Sequence, residues 1–349
     1  MNVKTINEIT GQYEVSKGIS KNELEKLAAN PETKYIQFSN PLSDKEIELL
    51  ELIVFSKRPD ISLRVYGHYG KTCDLSFIQR IPSLRRISAD CLFEAKGIEV
   101  VTQLNHLEHL GVGIFNLDNF DFLDKINPNL KNLYLHQTKS KKPKINSIGR
   151  FEQLEYLYLE GQQNGINAVC KLKKLKEIVL RSISTDNVDY LENLENLWSV
   201  DIKLGGIKDL NGLTGLESIK YLEVWQVRDL KDLSFISKLG TLQNLFIQSL
   251  KQVTKLPDFS DNRNLRRIYL ENLKGLKDLS SLKNAPGLKE FIYVLAENQE
   301  PENIIPVLEN PSVEKVSCGF RSNRKNNRFD ELLKQYNKRK YKHSKFEYE

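Results

Sequence analysis

The sequence lacks several patterns that mark secreted, membrane-bound or metal-binding proteins. No apolar run approaches the roughly 18 to 20 residues that span a bilayer, and residues 1–18 contain no apolar signal-peptide core. The 4 cysteines form no Cys-x-x-Cys pair, and the histidines form no His-Glu-x-x-His motif. We therefore expect a cytoplasmic protein with free thiols, no membrane association, and no metal or other cofactor.

Catalytic motifs are absent as well. The sequence contains no Gly-x-Ser-x-Gly elbow, no glycine-rich phosphate-binding loop and no Ser-x-x-Lys motif. His109 and His136 fall on predicted strand positions, and we interpret both as solvated sheet residues rather than acid–base groups. The sequence therefore predicts a protein that is not an enzyme.

Excess charge of one sign is missing from most of the chain. The net charge is +6, and residues 321–349 account for all of it with ten basic and four acidic residues. Such a basic end could bind nucleic acid or an anionic surface. Charged, solvated chain ends are also common, and we favour that interpretation.

Repetition is what the sequence has in abundance. The motif Leu-x-x-Leu-x-Leu, clearest at Leu154-Leu157-Leu159, recurs eleven times from Leu84 to Val313 at spacings of 21 to 25 residues. Alternating apolar residues indicate a half-buried strand, and stacking many such strands buries their apolar side in one continuous core. A repeat of about 23 residues leaves too little chain for a long helix, so short 3₁₀ turns are expected on the return path.

A second motif precedes the strands. Asp-Leu-Ser-Phe-Ile occurs at 74–78 and again at 232–236, about ten residues before the next strand. An Asp side chain can cap a short helical turn by accepting main-chain N–H bonds. We expect these turns to point Leu233, Ile236 and Leu239 into the core.

The run KDLSFISKLGTLQNLFI at 231–247 resembles the short-repeat, internalin-like class of bacterial leucine-rich-repeat proteins. The resemblance covers roughly residues 60–320. It implies an α/β solenoid with a parallel β-sheet on the concave face, short 3₁₀ turns on the convex face and helical caps. Secreted internalins also carry a signal sequence and a wall anchor, which we do not see here, so adhesion is not carried over and a cytosolic protein is expected.

The sequence departs from the family at one core position. Where the family often carries an Asn eight residues after the first Leu, four repeats have apolar residues instead, at Val227, Leu250, Leu273 and Ala296. We therefore expect an apolar spine to replace the usual ladder of amides over much of the chain.

The ends predict caps around the repeats. Residues 1–59 are expected to form a helical cap and a first irregular repeat, with helices at 20–29, capped by Ser20, and at 43–57. Residues 60–320 form the solenoid. Residues 321–349 form a cap helix at Phe329–Tyr341 and a basic tail, and deleting 342–349 is expected to leave the fold intact.

The outward-facing strand positions carry aromatic and charged residues, with rings expected to be exposed to water. Exposed aromatics beside Arg and acids are typical of interface hot spots. The alternative is that these aromatics only stabilise the sheet by lateral stacking. The predicted partner-binding residues are Tyr134, Tyr156, Tyr158, Glu160, Arg181, Asp201, Lys203, Tyr221, Glu223, Trp225, Phe246, Arg267, Tyr269 and Glu271.

The sequence therefore predicts a non-catalytic, monomeric module that binds a protein partner on its concave sheet. A sharper hypothesis is a bacterial immunity or adaptor protein that covers a partner's active surface. The alternative function is nucleic-acid or anionic-surface binding through the basic tail. The mixed charge of the sheet face argues against a polyanion as the main ligand.

Overall fold

The computed structural model of the chain describes residues 2–68, 71–140 and 143–349. It divides into two compact units, Met1–Lys174 and Leu175–Glu349. Within the residues described, every helix is too short or too polar to cross a membrane. All four cysteines are free thiols, as predicted.

The first unit contains a main sheet of eight described strands and a separate short pair. An antiparallel hairpin, β1–β2, begins the main sheet, and the following strands add in parallel. The main-sheet strands are β1 (Val3–Asn7), β2 (Gln12–Val15), β3 (Tyr35–Phe38), β4 (Ser62–Gly67), β6 (Arg86–Leu92), β8 (His109–Ile114), β9 (Asn132–Leu135) and β10 (Tyr156–Glu160). The short pair is β5 (Cys73–Asp74) with β7 (Ala95–Lys96).

Two helices cap this unit, followed by short helical turns. The predicted capping box is confirmed, because the Ser20 hydroxyl and the Glu23 carboxylate bond each other's main-chain N–H groups. The helices are α1 (Lys21–Ala29) and α2 (Asp44–Leu50), which continues as a π-helical turn at Glu51–Phe55. The 3₁₀ turns are Leu75–Arg80, Ile98–Gln103, Asp121–Lys125, Asn146–Arg150 and Ile166–Lys171.

The second unit is a stack of eight described parallel strands joined by 3₁₀ turns, as the repeat spacing predicted. The strands are β11 (Glu177–Arg181), β12 (Ser199–Lys203), β13 (Tyr221–Trp225), β14 (Asn244–Gln248), β15 (Arg267–Glu271), β16 (Glu290–Val294), β17 (Lys315–Cys318) and β18 (Arg339–Lys340). The turns and helices are Asp189–Leu191, Asn211–Leu213, Ser234–Lys238, Ser280–Asn284, Pro301–Ile304, α3 (Ile305–Glu309) and α4 (Asn323–Gln335).

The core of the second unit follows the predicted register. Leu222 pairs with Leu245 across β13 and β14, and both side chains are fully buried. The apolar spine is confirmed too, since Val227, Leu250 and Leu273 are buried. The Asp232 carboxylate accepts the N–H of Ser234 at 2.8 Å, so the predicted cap precedes its turn. Each repeat thus adds its apolar residues to the same ladder.

A residue with left-handed backbone conformation directly follows each of the strands β11 to β16. Gln226, Ser249 and Asn272 have φ of 51–52° although none is glycine. Each donates its N–H to the last carbonyl of the next strand, as Gln226 does to Gln248 at 3.0 Å. These bonds offset the cost of the left-handed backbone and turn the chain off the sheet at the same point in successive repeats.

The predicted C-terminal helix has the wrong bounds. Helix α4 begins at Asn323, six residues earlier than predicted, because the Ser322 side chain caps it by accepting the Lys325 N–H. The helix ends at Gln335, before Asn337, which has a φ of 54°. The chain then pairs Arg339–Lys340 with β17. The burial of Phe329, Leu332 and Leu333 agrees with the prediction.

Candidate functional site

The outward side chains of the second unit form three rows, because its strands pair in parallel with residues level from strand to strand. We call the face that carries them the outer face. The first row is Glu177, Ser199, Tyr221, Asn244, Arg267, Glu290 and Lys315. The second row is Val179, Asp201, Glu223, Phe246, Tyr269, Ile292 and Ser317. The third row is Arg181, Lys203, Trp225, Gln248, Glu271 and Val294.

The predicted aromatics lie on these rows, but their rings are not freely exposed. Tyr221, Trp225, Phe246 and Tyr269 are all half-buried. Phe246 stacks on Tyr269 with ring centroids 4.9 Å apart. The expectation of open rings was wrong because level neighbours on parallel strands lie about 4.8 Å apart, which is also a comfortable stacking distance.

A charged cluster lies on strands β12 and β13, next to the aromatic pair on β14 and β15. The Lys203 ammonium lies 2.6 Å from Asp201 and 3.1 Å from Glu223. It also lies 5.8 Å from the centre of the Trp225 ring, and the Tyr221 hydroxyl donates to Glu223 at 2.6 Å. Four predicted site residues are thereby held in fixed positions around one cation.

Burial perturbs this cluster electrostatically. Burial raises the pKa of Asp201 to about 6; the bond to Lys203 opposes the shift and the Glu223 charge adds to it. The Asp201 Oδ1 atom is buried and has no hydrogen-bond donor among the residues described. Although burial disfavours its charged form, the bond to Asp201 and the two neighbouring carboxylates raise the pKa of Lys203.

The first unit carries its own patch of predicted site residues. Tyr134 stacks on Tyr156 with centroids 4.8 Å apart, and it also contacts Tyr158 at 6.1 Å. The His136 Nδ1 atom lies 3.4 Å from the Glu160 carboxylate. The three tyrosines are half-buried, as on the second unit. Lateral stacking therefore occurs in both units.

His109 is not the solvated residue that the sequence predicted. Its side chain is buried, its ring lies 5.0 Å from that of Tyr134, and its Nε2 atom is 3.4 Å from the Ser88 hydroxyl. Burial, with a further contribution from the Arg86 charge, lowers the pKa of His109 to about 4. The imidazole is therefore neutral at physiological pH and forms part of the packing.

The basic tail was expected to be solvated; seven of its last nine residues are exposed, but the segment also contacts the second unit. Residues 341–349, which we call the tail, lie across the starts of strands β12 to β15. The Arg266 guanidinium donates to the Glu347 carbonyl at 2.7 Å and pairs with the Glu349 carboxylate at 2.8 Å. The Phe346 ring lies 4.9 Å and 5.0 Å from the Arg266 and Arg267 guanidinium carbons.

The far end of the tail is held by main-chain bonds as well. The Gln243 side chain accepts the Glu349 N–H at 3.0 Å and donates to the Glu349 main-chain oxygen at 3.1 Å. Lys220 donates to the same oxygen. The Tyr348 ring meets Trp198 edge-on at 5.1 Å, and its hydroxyl accepts from Asn244. We call the residues beneath the tail the tail groove: Trp198, Lys220, Tyr221, Gln243, Asn244, Arg266 and Arg267.

The tail changes the status of two predicted site residues. Arg267 is only 8% exposed, since it pairs with Glu290 and is covered by Tyr341 and Phe346. Tyr221 lies against Tyr348, with ring centroids 6.4 Å apart. Among the residues described, the hydrogen bonds and ring contacts between the tail and the three rows fall on the first row, and Tyr341 also acts electrostatically on Tyr269 in the second row.

Sequence reasoning overlooked most of the tail groove. Trp198, Lys220, Gln243 and Arg266 precede their strands by one residue, outside the outward positions that the repeat pattern identifies. One signal was present in the tail itself. Phe346-Glu347-Tyr348-Glu349 alternates aromatic and acidic residues with the period of an extended segment.

Much of the excess positive charge is already paired with acids. Arg321, Lys325, Arg328, Arg339 and Lys340 each lie within 3.2 Å of a carboxylate oxygen. Lys338 instead donates to the carbonyls of Asn310 and Val313, and burial lowers its pKa. Basic side chains bind a polyanion by neutralising phosphates and releasing their counterions, and side chains already paired with carboxylates do this less. The basic end is therefore a weaker phosphate-binding surface than its composition suggests.

A cleft of about 590 Å³ in the second unit is lined by Arg228, Lys251 and Lys274 with neutral polar residues from the strand ends. Within the part of the chain that is described, no group of three His, Cys, Asp or Glu residues could hold a metal ion.

Parallel strands at constant spacing, an apolar ladder and 3₁₀ return turns define the leucine-rich-repeat solenoid fold. Known structures share it. A leucine-rich-repeat protein of Leptospira interrogans has a TM-score of 0.55 at 18% identity, covering 93% of this chain and 88% of that one. The functional domain of InlJ from Listeria monocytogenes has a TM-score of 0.53 at 15% identity, covering 86% and 65%.

A structure of the TLR13–ssRNA13 complex also matches, with a TM-score of 0.57 at 16% identity, covering 88% of this chain and 46% of that one. No protein-family model and no curated protein sequence matches the chain. At these identities the likeness shows the fold alone. The predicted similarity to leucine-rich-repeat proteins of the internalin type is confirmed at that level.

Proposed function

We propose that the chain is a non-catalytic protein-binding module, and that the second and third rows of its second unit bind the partner. The observation that carries the proposal is the fixed arrangement of Phe246 and Tyr269 beside the Lys203 cluster. Ordered aromatics with adjacent charges are typical of binding hot spots, because little side-chain entropy is lost when a partner covers them. Stacking stabilises the sheet, but it requires neither Trp225 nor the charged cluster next to it.

The experiment is affinity capture with the full chain, followed by binding measurements on the purified partner. Trp225→Ala and Tyr269→Ala should each weaken the complex about thirtyfold or more, which corresponds to roughly 2 kcal/mol for a hot-spot aromatic. Phe93→Ala is the matched control, since Phe93 is 65% exposed but belongs to the first unit. Normal binding by both row variants would refute the proposal. An equal loss of affinity in Phe93→Ala would show that the binding site is not confined to the second unit.

The immunity or adaptor role remains the sharper form of this proposal, and a cytoplasmic location and a monomeric state remain predictions. Nucleic-acid binding through the basic end is the second candidate. The TLR13 structure contains RNA by its description, but the paired cations at the end of this chain favour a protein partner. Tight duplex binding at physiological salt, lost on Lys342→Ala with Lys345→Ala, would support the second candidate instead.

A further inference from the structure

The tail contacts the groove as an extended peptide ligand would. Its main chain bonds to groove side chains at Glu347 and Glu349, and its two aromatic rings meet Arg266 and Trp198. Side chains that bond a ligand's main chain hold extended segments with little dependence on sequence, and the ring contacts add selectivity. The groove therefore has the parts of a peptide-binding site, with the tail as its present occupant.

The tail is held at the surface, outside the repeat core. Tyr348 is 38% exposed and the Glu349 side chain is 80% exposed, although both make groove contacts. Exposed contacts of this kind contribute little each, and segments held by few buried apolar contacts open easily. A competing segment could thus displace the tail without disturbing the strands beneath it.

One tail residue does not match the charge of its surroundings. A cavity of about 260 Å³ remains between tail and sheet, and Lys345 borders it. The sheet side of this cavity carries four cations, Arg266, Arg267, Lys289 and Lys315, which pair with the carboxylates of Glu290, Glu314 and Glu349. Lys345 adds a fifth positive charge, and no carboxylate among the residues described pairs with it. A lysine is the wrong charge for this position, and an acidic residue would complement it.

From this mismatch, and resting on the proposed protein-binding function, we propose that the tail is a tethered, imperfect occupant of a peptide-binding groove. Its exchange partner is an extended protein segment in which two aromatic residues alternate with acids, with a further acid where the tail has Lys345. The segment would take the positions of Phe346, Glu347, Tyr348 and Glu349 and fill the cationic cavity. Because the tail competes for the groove, only a segment that binds the groove more tightly than the tail displaces it.

Tethering determines how strongly the tail reduces the apparent affinity of a competing peptide. A short tether places its ligand at an effective concentration in the millimolar range. Against a free peptide that binds with a dissociation constant of about 0.1 mM, a 1 mM internal competitor reduces apparent affinity roughly tenfold. Releasing the tail should therefore make weak peptide binding measurable.

The test uses a labelled, amidated peptide of residues 344–349 and fluorescence anisotropy on the full chain. The variant Phe346→Ala/Tyr348→Ala/Glu349→Ala, with its tail released, should bind this peptide at least tenfold tighter than the unaltered chain. A peptide carrying Lys345→Glu should bind about fivefold tighter again, the factor expected from one added surface ion pair. Adding Arg266→Ala to the released variant should abolish both affinities.

Two controls make the result decisive. A scrambled peptide with the two aromatics adjacent should bind at least tenfold more weakly, and the released variant should keep the melting temperature of the unaltered chain within a few degrees. If the folded released variant binds neither peptide, or binds the scrambled peptide equally well, the tail groove is not a peptide-binding site. Equal binding of the Lys and Glu peptides overturns the assignment of an acid to the cavity.

Failure here is distinguishable from failure of the proposed function. If a captured partner loses affinity on Trp225→Ala but keeps it on Arg266→Ala and on tail release, that partner binds the rows alone. This outcome refutes the groove inference and supports the proposed protein-binding function. Peptide binding in the groove, with partner affinity unchanged in Trp225→Ala and Tyr269→Ala, would refute partner binding by the rows and leave the groove inference intact.

Discussion

Tyr348 packs edge-on against Trp198, with ring centroids 5.1 Å apart, although 150 residues separate them in the sequence. The contact reports directly on whether the tail is seated, because the chain has only 2 tryptophans. In a Trp225→Phe background, Trp198 is the sole indole and its emission depends on the cover that Tyr348 provides.

Tyr348→Ala in that background should shift the Trp198 emission to longer wavelength, since the indole gains contact with water. The melting temperature should change little, because truncating a partly exposed side chain costs about 0.5 to 1 kcal/mol or less. Deleting residues 342–349 should give the same emission and still unfold cooperatively. An unchanged spectrum in both variants would mean that the tail does not rest on Trp198 in solution.

Leu222→Asp and Leu245→Asp should each abolish cooperative unfolding, because either change places an uncompensated charge in the apolar ladder. Leu222→Ala should be milder, costing about 2 to 5 kcal/mol. Thermal unfolding monitored by circular dichroism measures all three. Lys231→Asp, at an exposed position of the same unit, is the control and should melt normally. A normal transition in Leu222→Asp would contradict the strand register.

Phe246 and Tyr269 should couple energetically through their stacked rings. A double-mutant cycle of Phe246→Ala and Tyr269→Ala should give an interaction of about 0.5 to 1.5 kcal/mol in unfolding free energy. Denaturant titration of the four proteins measures it. Among the residues described, Phe246 and the tail residue Tyr348 share no ring contact or hydrogen bond, so this pair is the control and should be additive. Zero coupling between Phe246 and Tyr269 would show that the stacking does not stabilise the sheet.

Asp201 should make stability fall as pH rises through the mildly acidic range. Its pKa in the folded protein is about 6 against an ordinary value of 3.8, so the unfolded chain releases the proton first. The stabilising effect of the retained proton is complete below pH 3.8 and is lost as pH approaches and passes 6. Relative to Asp201→Asn, the unaltered chain should lose about 2 kcal/mol of unfolding free energy between pH 4.5 and 7.5.

Urea unfolding of both proteins at the two pH values gives that difference, in which groups common to both cancel. A difference of the opposite sign would mean that Lys203 holds the pKa of Asp201 below its ordinary value. A constant difference would mean that the carboxylate is solvated.

The sequence alone determined the repeat architecture of this protein. Eleven apolar triplets at near-constant spacing leave one way to bury Leu222 and Leu245. The strands must stack in parallel, with equivalent residues of successive repeats side by side. The apolar spine at Val227 and Leu250 and the Asp232 cap follow from local chemistry, where a residue and its immediate neighbours carry the information. The outward positions of Trp225 and Tyr269 follow from the same alternation.

Only the tertiary structure decided how those outward residues meet and where the tail lies. The burial of His109, the raised pKa of Asp201 and the stacking of Phe246 on Tyr269 depend on neighbours about one repeat away. The contact of Arg266 with Glu347 and Glu349 joins residues about 80 positions apart. No periodicity encodes such a pairing, because it arises from charge and shape on a surface that exists only after the strands have stacked.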